Sequence, residues 1–287
     1  MLRVTTRNAR FQQWQALLTN RAKRHRAGEF LVQGVRPLTV AVAHNWDIHA
    51  LLCRDSAALS SWAQGIVDKV GVSHFVLAPE LMYELGGKQD DAPELLAVAG
   101  IPDDSLDRVP AGPDTLIVVF DRPQSPGNVG TVIRAADAFG AAAVLVSGHG
   151  ADPYDPKAVR ASTGSVFCLP VIRVAGPDEF MAWVAAIRQA GTPLEVVAAD
   201  ERGEVDATDY DFTGPRALLV GTESRGLSTA WRHASDTVVR VPMVGSASSL
   251  NAAMAATVIL YEAARQRAQA MRDPVPPRGP GPSGAGA

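Results

Sequence analysis

Three segments of the chain place glycine beside amide, acid, hydroxyl or guanidinium groups just after an apolar run. The first spans Asp121 to Gly140, DRPQSPGNVGTVIRAADAFG. Gly127 and Gly130 would let a ligand approach the backbone, Asn128 is placed to cap a helix, and Gly140 to end it. Arg134 stands among Val132, Ile133, Ala135 and Ala136, a setting in which a guanidinium requires an acidic or phosphate partner. A structural ion pair is the plainer explanation of the same residue. The second segment, Ala217 to Ser228, halts an apolar run at Gly221 and sets the Glu223 carboxylate two residues on. Alone it reads better as a plain turn; in the functional reading Gly221 is open to a ligand and Glu223 able to accept hydrogen bonds or orient Arg134. The third runs from Val238 through Met243, Ser249, Leu250 and Asn251 into a helix reaching about Gln269. Leu250, Met254, Val258 and Tyr261 recur at helical spacing and are expected to face the core. Ser248 or Ser249 would cap this helix, and amides around Asn251 in its first turn would favour an electronegative ligand.

Several chemistries lack their residues. Gly148-His-Gly-Ala-Asp-Pro153 begins like a dinucleotide fingerprint but has proline where the third glycine belongs. No Walker loop, Gly-x-Ser-x-Gly elbow or His-Glu-x-x-His motif occurs, and the six histidines are scattered. Cys53 and Cys168 are too far apart in sequence for a metal knuckle and too few for a disulfide framework, so a reducing cytoplasm is expected. Neither a secretion signal nor an apolar run near the ~18 residues of a spanning helix is seen, so no membrane association is expected.

The elements that must hold these segments follow from periodicity. Phe11 to Leu18 reads as helix and Glu29 to Gly34 as strand, followed by strand 48–53, helix 59–70, strand 74–78 and helix 80–85. This is a small α/β domain over residues 1–110, closed by a proline-rich linker between Gly100 and Pro113. Continuous apolar runs at 115–120, 143–147, 194–198, 217–220 and 237–241, most of them separated by helical stretches, predict a parallel sheet with flanking helices over residues 111–272. Ligands of such sheets bind at the carboxyl ends of the strands, where all three segments fall. Residues 273–287 are rich in Pro, Gly and Ala and are expected to be disordered.

A chain of 287 residues, 47% hydrophobic, has enough apolar content for two cores. Its net charge of −3 argues against a nucleic-acid partner only as a sum. The first 36 residues hold eight cations and one acid, a charge of +7, which leaves −10 on the remaining 251. Arg21, Lys23, Arg24 and Arg26 form the densest part of that arm and are candidate phosphate contacts.

In this order, Asn128-x-Gly-x-x-x-Arg134, Gly221-x-Glu223-x-x-Gly226 and Val-Pro-Met243 followed by Ser249-Leu-Asn251 resemble the three motifs of the SpoU/TrmH branch of SPOUT RNA methyltransferases. The likeness covers roughly residues 114–267, and residues 23–34 resemble more loosely the L30e-like substrate-recognition domain of many members. The resemblance implies methyl transfer from S-adenosyl-L-methionine to a ribose 2′-hydroxyl of ribosomal RNA, less often transfer RNA, without a metal. It also implies a deep trefoil knot and a homodimer. It assigns cofactor contacts to Gly221, Val241, Met243 and Leu250, and catalytic or RNA-contacting roles to Asn128, Arg134, Glu223, Ser249 and Asn251. The competing expectation is a ribosome-associated RNA-binding protein that keeps the fold and lacks the activity.

Overall fold

The computed structural model describes residues 2–55, 59–86, 92–222, 226–247 and 249–272. The expected tail, 273–287, lies outside them, as do Glu223 and Ser248. In chain order the first half contains β1 (Leu2–Val4), α1 (Ala9–Thr19), α2 (Arg21–Ala27), β2 (Glu29–Gln33), α3 (Val35–Ala43), β3 (Ile48–Arg54), α4 (Ser61–Lys69), β4 (Ser73–Leu77), α5 (Pro79–Gly86) and β5 (Leu95–Gly100). The second contains β6 (Leu116–Asp121), α6 (Pro126–Ala138), β7 (Ala143–Ser147), α7 (Pro156–Ser162), β8 (Val171–Val174), α8 (Pro177–Gln189), β9 (Glu195–Ala199), β10 (Val205–Asp206), β11 (Arg216–Val220), α9 (Thr229–His233), β12 (Thr237–Arg240) and α10 (Ala252–Arg272).

The first half folds on a five-stranded sheet ordered β1-β4-β3-β5-β2, in which β5 runs antiparallel to both its neighbours. The second is a seven-stranded, wholly parallel sheet ordered β10-β12-β9-β11-β6-β7-β8. Each residue of β6, β7 and the interior of β11 is buried, as continuous apolar runs require when helices cover both faces. β9, β11 and β6 form the centre, so their carboxyl ends meet in one crevice.

The halves share a core. One apolar cluster holds Phe30, Val32 and Leu38 of the first half together with Tyr154, Phe167 and Val118 of the second. Phe30 lies 4.9 Å from the Tyr154 ring, and Trp46 meets Phe167 edge-on at 5.0 Å. The expected linker is docked too: Asp104 accepts from the Arg173 backbone N–H at 2.9 Å and from its Nε at 2.7 Å, and Val109 is buried in the second core.

Helix α10 corrects one expectation. Its buried residues are Ala252, Ala253, Ala256, Ile259, Leu260, Ala263 and, paired with Arg265, Glu262, while Met254, Val258 and Tyr261 are 62%, 44% and 57% exposed and Leu250, just before the helix, is half-exposed. The helix has two apolar faces. The small residues lie on the inward one, where α10 packs along α6, and the bulky set points outward.

Candidate cofactor and RNA site

A cavity of about 420 Å³ opens at the carboxyl ends of β9, β11 and β12, a size typical of small-molecule sites. Gly221, Val241, Met243 and Leu250 all line it, and so does Ser249. Its apolar wall is Val220, Val239, Ala252, Ala255 and Ile259. One rim is polar, formed by Asp200, Glu201, Arg202 and Arg232. Sequence reasoning overlooked that rim. Asp200 follows an apolar strand directly, and an acid at that position was the available signal.

The β11 loop is tight for a reason other than ligand access. A Cβ on Gly221 would collide with the backbone carbon of Gly226 and the nitrogen of Leu227 and come within 2.7 Å of the Gly226 oxygen. Thr222 and Gly226 exchange backbone hydrogen bonds of 3.1 and 3.0 Å, and Gly226 has φ +61°, a conformation suited to glycine. Glycine at 221 therefore lets the chain close on itself at the cavity edge. The loop is anchored further on by the buried Asp121 carboxylate, which accepts from the Ser228 N–H at 3.1 Å and from Arg122 through two bonds of 2.9 Å. Trp231, buried in α9, donates to Ser147 Oγ at 3.1 Å.

Helix α6 revises three readings. Its N-cap is Ser125, whose Oγ accepts from the Asn128 N–H at 3.3 Å; Asn128 is the third helical residue and not the cap. Gly130 faces α7 and not a ligand: a Cβ there would clash with the Ala158 carbonyl oxygen and lie 2.7 Å from Ala161 Cβ. Arg134 is exposed, because at 100° per residue it falls beside Thr131 and Asp137 while Val132, Ile133, Ala135 and Ala136 turn inward. It has no hydrogen-bond or ion-pair partner among the described residues, so the structural ion pair is not found there. Gly140, at φ +74°, follows the helix end as expected.

Asn251 is the cap of α10. Its Oδ1 accepts from the Ala253 N–H at 2.9 Å, and the exposed Ser249 does not fill that role. Asn128, Arg134 and Asn251 do not line the cavity; they belong to α6 and the start of α10, two helices in contact, with Phe139 and Tyr261 edge-on at 5.9 Å.

The basic arm divides sharply. Arg24 is only 2% exposed: its Nε and Nη2 each lie 2.8 Å from Asp152 Oδ2, and Nη1 donates to the Leu17 carbonyl at 2.8 Å. It is therefore not a phosphate contact, because its donors are spent inside the protein. Arg21 donates to the Gly150 carbonyl at 2.6 Å, and the adjacent His25 imidazole is held below its ordinary pKa chiefly by burial. Arg3 pairs with Asp55, Arg7 with Glu84, and Arg36 donates to the Thr163 carbonyl. Lys23 and Arg26 are exposed and have no such partner among the described residues.

The second half is a parallel sheet with a cavity at the carboxyl ends of its strands, the place where open α/β sheets bind their ligands. Residues 115–261 match the SpoU rRNA methylase family and residues 8–97 the SpoU L30e-like domain. The chain belongs to the SpoU rRNA methylase family. A 23S rRNA (uridine(2479)-2′-O)-methyltransferase of Streptomyces viridochromogenes is 57% identical over 265 residues, 92% of each chain. The crystal structure of the SpoU methyltransferase AviRb from the same organism, in complex with AdoMet, superposes with a TM-score of 0.88 at 57% identity, covering 91% of this chain and 99% of that one. An AdoMet-bound rRNA methyltransferase from Sinorhizobium meliloti gives 0.81 at 28% identity over 92% and 97%.

Proposed function

We infer that this protein is a methyltransferase that uses S-adenosyl-L-methionine to methylate a ribose 2′-hydroxyl of ribosomal RNA. The observation that carries the reading is the strand-end cavity, which gathers Gly221, Val241, Met243, Ser249 and Leu250 in the fold of an AdoMet-binding relative. The residues fit the cofactor: the apolar wall suits an adenine face, and the backbone of Val241, Met243, Ser249 and Leu250 at the cavity edge offers polar atoms. When bound, the cofactor supplies an electrophilic methyl group on a sulfonium and needs no metal. Among the described residues no three His, Cys, Asp or Glu side chains are grouped to hold one.

The protein's part is to bring the hydroxyl in line and ease removal of its proton. The cofactor would supply the methyl group, while the residues of the chain would hold the ribose hydroxyl and hydrogen-bond its proton. Arg134 is assigned to the RNA phosphate and the attacking hydroxyl, which it orients and polarises. Asn128, Glu223, Ser249 and Asn251 complete the proposed set. Lys23 and Arg26 are the exposed cations of the arm that support RNA binding by residues 1–110, with residues 111–272 as the catalytic domain. The 57% identical relative makes 23S rRNA the first substrate to assay.

A homodimer belongs to this reading. The outward stripe of Met254, Val258 and Tyr261 fits a second copy of the chain, and a monomer by light scattering would remove that element. The trefoil knot that the resemblance implies belongs to it as well. So does a cytoplasmic location; among the described residues no helix is long and apolar enough to cross a membrane.

The decisive test is 2′-O-methyl mapping of 23S rRNA incubated with AdoMet and either wild type or Arg134→Ala. The wild type should methylate one ribose, and the variant should lose turnover while unfolding at the same temperature, since Arg134 is exposed. Near-normal turnover in the variant would remove Arg134 from the mechanism, and absence of AdoMet uptake by the wild type would favour the binding-only alternative.

A further inference from the structure

The polar rim of the cavity has a definite construction. Asp200 continues β9 at its carboxyl end, its N–H donating to the Val239 carbonyl at 3.0 Å, so the residue is fixed at the mouth between β12 and β11. Its side chain is only 10% exposed. Oδ1 accepts from the Arg202 N–H at 3.0 Å and Oδ2 from Arg232 Nη2 at 2.6 Å. A carboxylate has about four acceptor positions, so two remain for a ligand in the cavity that Asp200 lines.

The charge of this site selects the kind of group it would take. Arg232 already neutralises Asp200 and would repel the ammonium of the methionine moiety, whereas neutral hydroxyl donors meet no such penalty. The wall of the same cavity is apolar, formed by Val220, Val239, Ala255 and Ile259. An adenine covering that wall carries its ribose as the next group, and a carboxylate at the end of a strand is a recurrent partner for a ribose diol.

The geometry points to Asp200 as the residue that binds the ribose 2′,3′-diol of the cofactor, held in place by Arg232. This inference rests on the cavity being the S-adenosyl-L-methionine site, and the experiment separates the two.

The experiment is calorimetry on the full chain without RNA. It compares S-adenosyl-L-methionine, 5′-methylthioadenosine and a 2′,3′-dideoxyadenosyl analogue of the cofactor, on wild type, Asp200→Asn and Arg232→Met. Loss of a hydrogen bond to a charged acceptor should raise the Kd of Asp200→Asn for the first two ligands by about 10- to 100-fold. The dideoxy analogue should bind wild type and Asp200→Asn alike. Arg232→Met keeps the carboxylate and should keep the preference for the diol. Three results overturn the inference: equal weakening toward the dideoxy analogue, weakening toward the full cofactor but not methylthioadenosine, or a diol preference that vanishes in Arg232→Met but survives in Asp200→Asn. Wild type that fails to bind S-adenosyl-L-methionine overturns the cavity reading itself.

Discussion

Replacing Arg24 with methionine should destabilise the whole protein and leave the chemistry of RNA contact untouched. Methionine keeps most of the stem volume and deletes the guanidinium. Asp152, whose side chain is 3% exposed, would then keep a charge with neither the Nε nor the Nη2 donor. The Leu17 carbonyl would lose its bond as well. Breaking a buried pair from one side costs about 3 to 5 kcal/mol. At roughly 2 to 4 °C per kcal/mol for a chain of this size, the unfolding temperature should fall by about 6 to 20 °C. The assay is urea unfolding of wild type, Arg24→Met and the double variant Arg24→Met/Asp152→Leu. The double variant should recover most of the loss, because the stranded charge is gone. A single-variant loss below about 1 kcal/mol would refute the argument, as would a double variant no better than the single. If Arg24 instead gripped RNA, its loss would lower the salt slope of RNA binding in the folded protein, and no such change is expected.

The neighbouring residues Lys23 and Arg26 should behave oppositely: neutralising both should reduce that slope by roughly 1.4 to 1.8 with the unfolding midpoint unchanged, and an unaltered slope would remove them from the RNA interface. Gly130→Ala should destabilise by about 1 to 3 kcal/mol in urea unfolding, since its methyl meets Ala161 and the Ala158 carbonyl between two packed helices; a neutral result would mean that the α6–α7 contact relaxes freely. His49 has its pKa raised, first by the hydrogen bond to Glu29 at 2.7 Å and also by Asp47. A raised folded pKa gives stability that is complete below the unfolded value of about 6.5 and is lost as pH climbs through the folded one. The stability gap between wild type and His49→Gln should therefore be larger near pH 6 than near pH 9, and a gap that widens with pH would contradict the assignment.

The catalytic sheet was legible because strands buried on both faces leave unbroken apolar runs such as TLIVVF, and five of its seven strands carry one. β8 is only four residues and β10 only two, too short to show a period. In the first half, β5 (LLAVAG) merges into the glycine and proline that suggested a linker, and α3 hides behind Pro37, which its first turn tolerates. The cofactor loops were readable from motif order, while the Asp200 rim was not, because its partner Arg232 lies 32 positions away and only the fold joins them. The same limit misassigned Arg24: a basic run looks alike in sequence whether it meets phosphate or a buried aspartate 128 residues on. On α10 the bulky residues suggested the core, yet the close approach of α6 selects alanine for the inward face.

The core shared by the two halves bears on how substrate range can be altered. Phe30 packs on Tyr154 and Phe167, and Arg24 is sealed against Asp152, so the arm that carries Lys23 and Arg26 is packed onto the half that holds the strand-end cavity, and pivoting would break those contacts. With the roles proposed above for Lys23, Arg26 and Arg134, the protein would work as a fixed gauge, and an RNA would have to fold so that its target ribose and its gripped phosphates match one set distance. Grafting a foreign recognition half onto this catalytic half would strand Asp152 and open the joint, unless the graft brought its own arginine and aromatic ring to the same places.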